Sequence, residues 1–307
     1  MTARAFFYGA DGRLRVPWQW IGFIVVLVVS MFALSVVALF VARPTSSWQQ
    51  QTVGFWSLLV GAWFAHQVML RWVDGRPWSF VGLGRSQGAP WRLGLGLLAG
   101  SLAILVPSGA LLLARWLVAE PATAAAGGEV VGWWRYAALM AVFFLPQSLG
   151  EELMSRGYLF ATARDAIGWR GALLLTSVVF GLLHLGNPGA DLRTTLLVTL
   201  AGVFLGGILL VTDSLYAAWM AHFAWNWSMA AVLHSAVSGL PFTAPGYEVV
   251  DGGPDWVTGG SWGPEGGAGA ALGMIVALWL LVSWRRRRKL AANEIERVET
   301  WQNDVSR

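Results

Sequence analysis

The sequence has no cysteine and a single lysine, Lys289, among its 21 basic residues. The first absence excludes structural disulfides, thiolate metal ligation and a cysteine nucleophile. Charge is scarce as well. Asp, Glu, Lys and Arg make up 12% of the 307 residues, about half of the ~25% usual in soluble globular domains. A chain so poor in charge cannot clothe a water-facing surface, which excludes most soluble folds. What it has instead is 56% hydrophobic residues and 20 Trp, and indole rings favour the headgroup level of a bilayer. The net charge of +4 does not point to nucleic acid, because the arginines stand beside apolar runs.

A bilayer-spanning helix takes about 20 mainly apolar residues. Eight runs qualify: 19–42, 53–73, 92–118, 133–160, 170–186, 193–212, 214–237 and 267–284. They predict an all-α polytopic membrane protein with an intramembrane polar cavity. The first run follows Arg4, Arg13 and Arg15, a signal-like flank, but it exceeds the 7–15-residue core of a cleaved signal and reads as a retained helix. Arg71, Arg76, Arg85, Arg92, Arg156, Arg164, Arg170 and the run Arg285–Lys289 fall on the same side as that flank. The other side holds only Arg43, Arg115, Arg135 and Arg193. The positive-inside rule then predicts a cell-membrane protein with both termini cytoplasmic.

Residues 1–290 read as one integral membrane domain whose motif-bearing core is 146–230. Residues 238–266, rich in Gly and Pro and free of Lys and Arg, read as an extracytoplasmic loop, poorly ordered or lying on the membrane face. Residues 291–307 read as a charged cytoplasmic tail. The small-residue pairs Gly96/Gly100 and Gly202/Gly206 suit close helix packing.

Three polar intrusions interrupt the apolar runs. In Glu151-Glu152-x-x-x-Arg156, Glu152 and Arg156 share a face and form an i,i+4 pair in the better orientation. Glu151 lies about 100° round the helix and faces the bundle interior, where a carboxylate can serve as a general base. The plainer reading has both Glu ending the helix at the interface, with Arg156 as anchor. Phe180-Gly-Leu-Leu-His184, with Asn187 beyond, is weak alone, since a lone His on an apolar face is more often a hydrogen-bonded core residue. His222-Phe-Ala-Trp-Asn226 projects two polar side chains from one face, suited to a developing oxyanion. His66 and His234 read as packing or interfacial residues, and Asp213 as a turn residue. Counted from the turns near 164–169 and 213, the three motifs differ in height by about 9 Å at ~1.5 Å per residue. Pro146 can bend the fourth helix, so one cavity is geometrically accessible.

The combination Glu151-Glu152-x-x-x-Arg156-x-x-x-Phe160, Phe180-x-x-x-His184-x-x-Asn187 and His222-x-x-x-Asn226 resembles the CPBP intramembrane proteases. These include the type II CAAX prenyl endopeptidases and the bacteriocin-processing or Abi proteins. The resemblance spans about 146–230. It implies Glu151 as the base that activates water, assisted by His184, and His222 with Asn226 as the oxyanion-stabilising pair. It further implies Glu152 and Arg156 as supports, with Phe160, Phe180 and Asn187 lining the site. It implies no cofactor. One Glu and two His are also a zinc-compatible set, so the sequence permits zinc without favouring it; the lack of a His-Glu-x-x-His motif speaks against the better-known intramembrane zinc proteases. The expected partners are the lipid bilayer and a membrane-associated peptide or protein substrate, not nucleic acid. Two readings from other classes compete. One is a non-catalytic scaffold or bacteriocin-immunity protein on a protease fold; the other is a proton-coupled transporter.

Overall fold

The structure, a computed structural model, describes residues 6–9, 11–122, 132–242 and 244–305. Arg4 of the basic flank and the last two residues of the tail lie outside that range. Eight principal helices are described, and we number them in chain order. They are α1 (Val16–Val41), α2 (Ser47–Gln67), α3 (Pro90–Leu113), α4 (Trp133–Arg156), α5 (Tyr158–Leu183), α6 (Leu192–Thr212), α7 (Leu215–Trp227) and α8 (Ala268–Val305). A two-stranded antiparallel sheet joins β1 (Leu117–Pro121) to β2 (Tyr247–Asp251), with Leu117 opposite Asp251.

Among the described residues, six helical stretches are long and apolar enough to cross a membrane, and Trp133–Gly186 is one of them. That 54-residue stretch folds as two helices, α4 and α5, which turn on each other at Gly157. Large apolar side chains point outward all round: Phe40 is 76% exposed and Leu113 89%. In water such a surface would be untenable; in lipid it is the expected one. The protein is a polytopic α-helical membrane protein.

Boundaries differ from the sequence expectation where a backbone signal outweighs hydropathy. The third span ends at Leu113, because Arg115 turns the chain (φ 58°) into β1. The expected turn near 164–169 is narrowed to a break at Gly168 (φ 76°, ψ 165°) with helix on either side, and the helical chain before it begins at Tyr158. Gly157 lies so close to α2 that a Cβ there would come within 2.2 Å of His66 Nε2. His66 is fully buried and accepts the Tyr158 N–H at 2.9 Å, so it pins the α4–α5 corner. Asp191 caps α6, and the Thr194 N–H that it accepts holds its carboxyl below the usual range.

Residues 238–266 are not a poorly ordered linker. They supply β2, a helical turn at Asp255–Thr258 and the buried Trp262. Some of their glycines serve close packing: Gly263 has φ 96°, and a Cβ there would meet Ala236 O at 2.1 Å. The chain continues into α8, which extends well beyond the apolar segment as one helix to Val305.

One apolar core joins α3, α4, α6 and α7 through Ile104, Phe144, Phe204 and Trp225. A second joins α1, α2 and the α4–α5 corner through Phe23, Ala62 and Tyr158. Gly96 and Gly100 of α3 press onto α7, where a Cβ would come within 2.2 Å of Ala217 O and 2.0 Å of Ala221 O. This close approach fixes the height and rotation of α7, and so of His222 and Asn226.

Candidate active site

Four helices and the 238–266 segment enclose a cavity of about 210 Å³. Gln147, Glu151, His184, His222, Asn226 and Asn187 supply its polar wall; Phe55, Phe143, Phe144, Leu183 and Leu240 are part of its apolar wall. The three sequence motifs therefore meet in one space.

On α4, Glu151 and Glu152 separate as their positions round the helix require. Glu152 is fully buried, and its Oε1 accepts Arg156 Nη1 at 2.9 Å and His222 Nδ1 at 2.9 Å. Arg156 is buried too, with its guanidinium 4.1 Å from the Phe180 ring centre. This cation–π contact accounts for Phe180 between the charged pair and the two imidazoles. Glu151 turns into the cavity. Its Oε1 accepts Gln147 Nε2 at 2.5 Å. Among the described residues its Oε2 has no hydrogen-bond partner, and it stands 3.8 Å from His222 Nε2 and 4.0 Å from His184 Nε2.

The far side of each imidazole defines what the near side can do. His184 Nδ1 lies 2.8 Å from Phe180 O, and a carbonyl only accepts, so Nδ1 donates. His222 Nδ1 donates to a carboxylate. In their neutral forms both rings therefore present an unprotonated Nε2 to Glu151. Three acceptors converge on one point, an arrangement that calls for a donor such as water. Protonated, either imidazole donates there instead.

Gln147 is a site residue that sequence reasoning missed. Its Oε1 accepts Asn226 Nδ2 at 3.0 Å and Ser148 Oγ at 3.1 Å, so an amide chain runs from Asn226 through Gln147 to Glu151. The available signal was its position one helical turn before Glu151 on the same face. Glu265 was missed as well, because it belongs to the distal loop. It accepts Trp225 Nε1 at 2.8 Å, Ser238 N at 2.6 Å and Ser238 Oγ at 2.7 Å. Asn187 donates to Ser238 O at 3.0 Å, so the loop is fastened over the cavity from two sides.

Phe160 is a correction. It does not line this cavity; it is buried in the second core and borders a separate space beneath Arg156. The break at Gly157 redirects the chain before Phe160 and carries its ring below the site.

Glu151, His184 and His222 are zinc-type donors that meet in this cavity. A tetrahedral ion with bonds of about 2.1 Å needs donors roughly 3.4 Å apart, closer than the spacings from Glu151 Oε2 to the two imidazoles. Among the described residues no three His, Asp or Glu side chains are grouped to hold a metal ion.

Fold and site together define a class: a polytopic α-helical membrane protein with a buried carboxylate, imidazole and amide cluster. Within that class, residues 132–228 match the family model described as type II CAAX prenyl endopeptidase Rce1-like, and this match is consistent with the CPBP protease family. It covers about a third of the chain, from the start of α4 through α7, and includes every motif residue named above. No curated protein and no solved structure matches the chain. The family supports a protease, a hydrolase of the membrane.

Proposed function

We infer that the protein is an intramembrane endopeptidase in which Glu151 activates water to cleave a membrane-associated peptide. The observation that carries this reading is the unpartnered Glu151 Oε2 facing two imidazole Nε2 atoms. A water in that gap would donate one O–H to Glu151 and the other to His184. Glu151 takes the proton as oxygen attacks the scissile carbonyl carbon. Protonated His222, its Nδ1 held by Glu152, and the Asn226 amide donate to the oxygen on which negative charge grows. The proton on Glu151 then passes to the departing amine, and the C–N bond breaks. Gln147 orients Glu151 and Asn226 together. No metal takes part in this scheme.

The apolar wall, including Phe143, Phe144 and Leu240, suits an apolar stretch of a membrane-anchored peptide. The Arg-rich end, with Arg76, Arg164 and Arg285, would face the cytoplasm of a cell membrane, following the positive-inside rule. The test is a comparison of membrane-peptide termini between cells carrying the active protein and cells carrying Glu151→Gln. New termini seen only with active protein are expected. Identical termini in both would refute the assignment.

A further inference from the structure

A second cavity, of about 180 Å³, lies at the Arg-rich end of the bundle, on the other side of Arg156 from the Glu151 site. One ordered water needs only ~10–15 Å³ by this measure, so there is room for a polyatomic ion with its waters. Its polar lining is Arg156, Arg164, Arg285 and Asp213; Phe80 and Phe160 are among its apolar members. Three cations face one anion.

Glu152 already offsets one of the three positive charges by pairing with Arg156, which leaves two cations against the lining anion, Asp213. Asp213 accepts Gln87 Nε2 at 3.3 Å. Arg285 donates to Leu210 O, a neutral carbonyl. Arg164 has only a loose approach to Asp165, 3.7 Å, and Asp165 is held more tightly by Arg76 at 2.6 Å. Arg156 is the decisive residue. It is 1% exposed and lines the cavity, and its Nε and Nη2 have no hydrogen-bond partner among the described residues. A guanidinium has five N–H donors in a fixed fork, and leaving them bare in a buried setting is costly.

We propose that this cavity binds a phosphate-type oxyanion, which Arg156 contacts through its free edge while Arg164 and Arg285 close round it. Guanidinium forks match phosphate oxygens bidentately. Basic pockets between helices at the cytoplasmic end of a membrane protein take anionic lipid headgroups, and free phosphate offers the same chemistry. The site is distinct from the hydrolytic cavity and does not depend on the protein being a protease.

The test uses the full chain and reads its thermal unfolding midpoint. In neutral detergent it is titrated with inorganic phosphate against sodium chloride at equal ionic strength. In a second arm it is placed in phosphatidylcholine nanodiscs with or without phosphatidylglycerol. A rise of roughly 2–4 °C is expected from a ligand that binds only the folded state. A rise in both arms identifies the shared phosphate chemistry; in the lipid arm alone, a headgroup site; in the phosphate arm alone, a soluble-anion site. Arg164→Gln with Arg285→Gln should weaken the response at least about tenfold in midpoint concentration. Asp213→Asn removes the lining anion and keeps a residue that tolerates the positive φ of 52° there. It should sharpen the response, an effect that misfolding cannot imitate. No rise in either arm, or an unchanged response in both variants, overturns the proposal.

Discussion

His222 and Glu152, 70 residues apart in sequence, are joined by a buried 2.9 Å contact from Nδ1 to Oε1, the same oxygen that accepts Arg156. The i,i+4 spacing alone makes Glu152 a partner of Arg156, and so a structural residue. The third partner changes its expected phenotype. Glu152→Gln should leave the buried Arg156 uncompensated, a loss of up to about 3–5 kcal/mol in stability. It should also weaken support for protonated His222 and lower activity per folded molecule at least about tenfold. Melting curves and rates normalised to folded protein separate the two effects. Unchanged specific activity would remove His222 from the mechanism as drawn.

Glu151→Gln keeps the shape and the contact with Gln147 but removes the base. Proteolysis should fall by at least about 10²-fold, with little change in protein amount or melting temperature. Turnover of a cleaved membrane peptide by purified protein is the measurement. Activity within a few-fold of the parent would assign the base elsewhere.

Gln147→Leu should break the amide chain between Asn226 and Glu151. The expectation is a fall in turnover of roughly 10–10²-fold, with a larger effect on kcat than on KM because the group orients catalytic side chains. If only KM moves, Gln147 contacts substrate and does not position the base.

The α3–α7 contact gives a packing test free of catalytic residues. Gly100→Ala places a methyl where Ala221 O already lies, 2.0 Å from the built Cβ. Displacing α7 should cost about 1–3 kcal/mol or more. Gly109→Ala, in the same helix with nothing within 4 Å, should be neutral or stabilising by up to ~1 kcal/mol. Equal melting temperatures for the two variants would contradict this packing.

Metal content is the fourth expectation of the mechanism. Purified active protein should carry well under one zinc per chain, because the scheme assigns activation of water to the Glu151 carboxylate. Elemental analysis beside activity decides it. One tight zinc, with activity lost on its removal and restored on its return, would replace the glutamate-only scheme.

The sequence by itself determined the solvent, the helices and the local faces. Apolar runs of spanning length place the chain in lipid whatever their packing, and i,i+4 spacing puts Glu152 with Arg156, and His222 with Asn226, on shared faces. These are properties of single helices. The tertiary structure decided which faces meet and what each side chain does there. Gln147 becomes the link to Asn226 only once α7 is seated on α3. Phe160 leaves the site because the chain breaks at Gly157 against His66, a contact across 91 positions. Glu265 and Ser238 close the cavity because the 238–266 segment is held by β1, 130 residues before β2. Gly239, Gly259 and Gly263, read locally as looseness, stand where neighbouring backbone approaches too closely for any Cβ. Such contacts depend on chain segments distant in sequence, and no local pattern of hydropathy or spacing encodes them.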